Sequence, residues 1–141
     1  MLIFNSVSVP VILLTSIVVA AVLIYLPYTV VAYSRLTASS GYDAANPRST
    51  FDELPAYAKR ANWAHQNSFE SFSIFAAAVL MAYVTEQTSP TVAYAVVAYL
   101  VARFLYSIAY ILAIPVGRSL MFGIGNIGII ILFVTSIRSI M

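Results

Sequence analysis

KRANWAHQNSFESFSIF, residues 59–75, sets Arg60, Asn62, His65, Gln66, Asn67 and Glu70 directly against an uncharged run, residues 71–85. At about 100° per residue, one helical face holds Arg60, Trp63, Asn67, Glu70 and Ile74, spaced i, i+3, i+7, i+10 and i+14. That face carries a cation, an amide and a carboxylate toward a membrane. Each charge costs a few kcal/mol at the bilayer centre unless it meets a bundle interior, a water-filled cavity or a partner. A polar binding pocket near one membrane surface is therefore expected here.

The chain around this stretch is 141 residues long, 62% hydrophobic and 9% charged, with a mean hydropathy of +0.93. Those values describe a single integral membrane domain, not a soluble one. The formal charge of +2 is small and dispersed, with no basic run and no nucleic-acid motif, so nucleic acid is excluded as a partner. With no cysteine there is no disulfide framework and no thiolate nucleophile, and with His65 as the single histidine no protein-held metal is expected. Walker, HExxH and GxSxG motifs are all missing, which disfavours phosphoryl transfer and serine hydrolysis.

Outward from the stretch, four apolar spans are expected at residues 9–34, 58–84, 91–113 and 119–137, joined by a polar loop at 35–57. Residues 1–34 carry no charge, and the first run is too long for a signal-peptide h-region and lacks a basic n-region. Pro27 should kink or soften that helix, and Arg35 should end it at an interface. The loop is rich in Ser, Gly, Asn and Pro, and Asp52 with Glu53 suggests a short helical turn. At about twenty residues it is a solvated connector or a functional lid. Residues 86–90 make the second turn, and Pro115 with Gly117 breaks the third span before Arg118 and Ser119. Gly123, Gly125 and Gly128 should let neighbouring backbones approach closely. The first and third loops hold Arg48, Lys59, Arg60 and Arg118, with Arg35 at the edge, so the positive-inside rule puts them in the cytoplasm and both termini opposite.

Arg103, Tyr106 and Tyr110 share one face of the third span at i, i+3 and i+7, at the depth of Asn67 and Glu70. Arg103 can pair with Glu70 as internal glue, or Glu70 can hold a ligand's ammonium. His65 lies off the polar face and reads as a helix-contact or interfacial residue. Trp63 is an interface anchor or a lid on the pocket, and Tyr25, Tyr83 and Tyr94 read as aromatic-belt anchors.

Together these residues carry a resemblance. RANWAHQNSFE, ARFLYSIAY and the following Arg118-Ser119 are similar to the MAPEG superfamily, the membrane-associated proteins in eicosanoid and glutathione metabolism, of prokaryotic type, over nearly the whole chain. Asn46-Pro47 resembles the family's Ala-Asn-Pro turn. The resemblance implies an all-α integral membrane four-helix bundle assembling as a homotrimer, with glutathione as co-substrate in a cleft between subunits, open to the cytoplasm. It implies Asn67 and Glu70 on the peptide and amino group of glutathione, Tyr106 and Tyr110 along the tripeptide, and Arg118 or Ser119 beside the sulfur. Arg60 and Arg103 match basic positions of the family, and Arg35 one at the end of the first helix. Trp63 departs from the pattern where an arginine is common, as does Asn62 where some members have a second, and no nearby cation is evident to compensate.

The expected function is a membrane-bound glutathione transferase or peroxidase, conjugating or reducing a lipophilic small molecule that arrives from the lipid. Arg118, Ser119 and Tyr110 would favour the thiolate, and Arg60, Asn67, Glu70, Arg103, Tyr106 and Arg35 would bind the tripeptide. The expected membrane is a bacterial inner or internal one. The alternative is a non-catalytic subunit of the same fold, or a lipid-binding protein, in which the polar face is structural.

Overall fold

The computed structural model describes residues 8–38, 45–46, 48–49 and 51–141. Among them are four long helices, α1 (Val9–Leu36), α2 (Ala56–Val84), α3 (Pro90–Ile111) and α4 (Pro115–Ile140), and one 3-10 turn, Phe51–Glu53, where Asp52 and Glu53 suggested it. Each long helix is long and apolar enough to cross a membrane, and no strand occurs among the described residues. The protein is an all-helical, multi-pass integral membrane bundle. Parts of the 35–57 loop, including Pro47 of the expected Asn46-Pro47 turn, lie outside the described residues; Ser49 donates to the Asn46 carbonyl from its backbone N at 3.0 Å and its Oγ at 2.8 Å.

The largest boundary difference is at α4, which begins at Pro115 rather than near residue 119. Proline lacks only a donor that the first helical turn would leave unpaired anyway, so Pro115 both follows the end of the third span, as expected, and opens the fourth helix itself. Pro90 opens α3 in the same way. Pro27 lies inside α1, fully buried, and the helix continues past it through Arg35 to Leu36.

Two short corners are closed by one device. After α2, Gln87 N donates to Ala82 O at 2.9 Å and Glu86 N to Tyr83 O at 3.1 Å. After α3, Ile114 N donates to Ala109 O at 2.8 Å and Ala113 N to Tyr110 O at 3.2 Å. This is the Schellman pattern, which needs a left-handed residue, and here non-glycine residues take it: Glu86 at φ 55° and Ala113 at φ 57°.

Helices α2 and α3 pack on each other and on both remaining helices, whereas α1 and α4 lie on opposite flanks. The most apolar window of α3 is 56% buried, against 22–28% in the others, so α3 is the central helix. Its core layer joins Val92, Val96 and Tyr99 to Leu13, Phe75, Val79 and Leu132, with Phe75 stacked on Tyr99 at 3.7 Å between centroids. In lipid such contacts stabilise through close packing, because lipid tails are as apolar as the core. Gly128 makes the closest approach: a Cβ there would meet Ala95 O at 2.8 Å. Gly125 packs on Tyr99 and Arg103, but a Cβ on Gly123 would meet nothing within 4 Å, so only two of the three glycines serve packing within the chain. A second cluster, Val31, Leu54, Ala58 and Ala61, takes Ile111 against it at the end where α2 begins and α3 stops.

Candidate functional site

At that end the helices also bring most of the expected polar residues together. Arg103 is 4% exposed and donates from Nη2 to Asn67 Oδ1 and to Ser68 Oγ, both at 3.1 Å, while its guanidinium sits 4.2 Å above the centre of the Tyr106 ring. Glu70 is exposed on the outer side of α2, so the pairing of Arg103 with Glu70 is replaced by amide and hydroxyl acceptors. The physical reason is register: Asn67 and Ser68 face Arg103 on α3, while Glu70 stays exposed. Nη2 of the buried cation thus meets two neutral acceptors, while its Nε has no hydrogen-bond partner among the described residues.

Tyr106, Tyr110, Arg118, Ser119 and Phe122 line a recess of about 330 Å³ between α3 and α4. Tyr106 and Tyr110 meet edge to face at 5.6 Å, and the Arg118 guanidinium lies 4.8 Å from the Tyr110 ring centre. Two phenols, a hydroxyl and a guanidinium therefore face one space, with no carboxylate lining it among the described residues. Such a set favours an anion through a nearby positive charge and hydrogen-bond donors.

A second recess, about 400 Å³, opens between α1 and α2 and is lined by Tyr28, Arg35, Arg48, Phe51, Asn62, Trp63, His65 and Gln66. Arg35 is 8% exposed, and its Nε has no hydrogen-bond partner among the described residues. Trp63 is 45% exposed in this lining. Arg48 shares the lining with it, so the cation missing at Trp63 has a neighbour in the loop that linear sequence did not reveal. The His65 ring contacts Tyr25 and Tyr28, and its Nδ1 donates to Ile24 O at 2.8 Å, as expected of a helix-contact histidine. A carbonyl can only accept, so the proton is on Nδ1.

Not all expected site residues converge. Arg60 lines neither recess and donates from Nε to Ile111 O at 2.9 Å, across α2 and α3. Asn67 and Glu70 also lie outside both linings, Asn67 beside the first through Arg103. Sequence reasoning missed Ser68, Ser71, Tyr99 and Phe122. Tyr99 bonds Ser71 at 3.1 Å and stands four residues before Arg103, a helical spacing that could have added it to the polar face.

A four-helix membrane bundle with cationic recesses at one end is an integral membrane protein with its polar chemistry near one bilayer surface. Its family follows from sequence comparison: the model of the MAPEG family matches residues 12–138, and the chain belongs to that family. Membership relates it to membrane proteins of eicosanoid and glutathione metabolism. No curated protein and no solved structure matches it.

Proposed function

We propose that the protein is a membrane-bound glutathione transferase or peroxidase acting on lipophilic substrates, on the strength of one observation: Tyr106, Tyr110, Arg118 and Ser119 line a single recess free of carboxylates. Glutathione is an anionic tripeptide, and its thiol would lie by Arg118 and Ser119, where the guanidinium favours the thiolate. In conjugation the thiolate sulfur forms a bond to an electrophilic carbon while the leaving group departs with its electron pair. In peroxide reduction two glutathiones give up two electrons and two protons to a hydroperoxide, yielding glutathione disulfide, an alcohol and water.

The two recesses lie on different flanks, one between α1 and α2 and one between α3 and α4. A second copy that sets its α1/α2 flank against α3/α4 would join them into one cleft. Contact between unlike faces generates a ring when the rotation closes, and the homotrimer that the family resemblance implies is one such ring. In that arrangement Arg35 and Arg48 would reach the carboxylates of glutathione, and Glu70, exposed on α2, its ammonium. The basic end would face the cytoplasm of a bacterial cell.

The test is equilibrium binding of glutathione to detergent-solubilised protein, with native mass spectrometry on the same sample. Trimers binding glutathione below the millimolar range are expected. A monomer removes the shared cleft. Trimers without binding favour the second reading, a non-catalytic subunit, which the indole at Trp63 supports.

A further inference from the structure

Ile111 is the last residue of α3, and its carbonyl belongs to the final turn, whose oxygens have no partner inside the helix. Arg60 supplies one from another helix, through Nε at 2.9 Å. The side chain of Ile111 is held as well, against Val31, Leu54, Ala58 and Ala61. Beyond it the chain has little slack. Ala113 is left-handed, Ile114 N returns to Ala109 O, Arg118 N donates to Ile114 O at 3.0 Å, and a Cβ on Gly117 would already crowd Ile114 at 3.2 Å. The next residues along this folded corner are Arg118 and Ser119, which line the α3/α4 recess while Arg60 lines neither recess.

We infer that Arg60 is a positioning residue, a strap from α2 that fixes the α3–α4 corner and through it the placement of Arg118 and Ser119, rather than a residue that touches the bound ligand. The strap is a property of the chain alone, whereas its consequence for a bound thiol rests on the glutathione function proposed above. With the carbonyl of Ile111 released, the corner can open and the guanidinium of Arg118 no longer has a single position over Tyr110.

Two measurements on Arg60→Ala in the full-length, reconstituted protein test this. Without ligand, hydrogen exchange at Leu112, Ala113 and Ile114 should accelerate about tenfold or more, while the corner at Glu86 and Gln87 keeps its wild-type rate, because loss of one charge-assisted bond releases only the corner it holds. Unchanged exchange at 112–114, or a uniform rise at both corners, overturns the strap. With ligand, the thiolate absorbance of bound glutathione should titrate at higher pH than in the wild type, while affinity for S-methylglutathione, which has no thiol to ionise, stays near the wild-type value. A large loss of S-methylglutathione affinity with the thiol titration unmoved shows Arg60 touching the ligand and overturns the inference. If wild-type protein binds no glutathione, the proposed function falls and the exchange measurement still decides the strap. Arg60→Lys keeps a cation able to reach the carbonyl and should give exchange between the two; it carries the same test if the alanine variant does not assemble.

Discussion

Arg103 donates to the Asn67 amide oxygen at 3.1 Å, tying the central helix α3 to the polar half of α2 inside the bundle. The same nitrogen reaches Ser68 Oγ, so one guanidinium orders two neighbouring α2 side chains. Its removal should leave buried acceptors without a donor. Arg103→Met is expected to cost about 1–3 kcal/mol. Thermal unfolding in detergent, run as a double-mutant cycle with Asn67→Ala, should show coupling between the sites, and strictly additive losses would mean that the bond contributes nothing.

The close approach of Gly128 to the Ala95 carbonyl predicts a position-specific effect in α4. Gly128→Ala must separate α3 from α4 and should destabilise by about 1–3 kcal/mol, as overpacking does. Gly123→Ala meets open space within the chain and should be neutral, or better by up to about 1 kcal/mol through helix propensity. Equal losses at the two positions would contradict the packing described.

Ala113 at φ 57° holds a conformation that costs an L-residue about 1–2 kcal/mol and costs glycine almost nothing. Ala113→Gly should therefore raise the unfolding midpoint, as should Glu86→Gly at the equivalent corner. A lower midpoint for both variants would show that the corners are not held in this geometry.

Trp63 and Arg48 share one recess, and their variants should move glutathione affinity in opposite directions. Arg48→Gln should weaken binding by about tenfold and Trp63→Arg should tighten it by about as much, each being one charge-assisted bond lost or gained. The arginine at 63 can snorkel to the headgroups, so thermal stability should hardly change. If calorimetry finds both affinities unmoved in intact protein, the recess does not hold the tripeptide and the structural reading of this face prevails.

Much of this architecture was legible before any coordinates. Four predominantly apolar runs of spanning length read as helices, because in lipid a helix satisfies its backbone donors and acceptors within its own segment. Helical periodicity likewise placed Arg103, Tyr106 and Tyr110 on one face, and the structure keeps Tyr106 and Tyr110 in one recess with Arg118 and Ser119. Within a helix, spacing alone determines angle, and that is local information.

What the tertiary structure alone decided is who meets whom between helices. Periodicity put Asn67 and Glu70 on the same broad face of α2, but the rotation of α2 against α3 turned Asn67 to Arg103 and left Glu70 outside. Arg60 meets the Ile111 carbonyl only because the end of α3 lies beside it, and Arg48, fifteen residues before Trp63, entered the same recess as Trp63 only through the path of the loop. Rotation, register and loop path are set by the packing of whole surfaces, such as Gly128 on Ala95 and Phe75 on Tyr99, and no single segment contains that information.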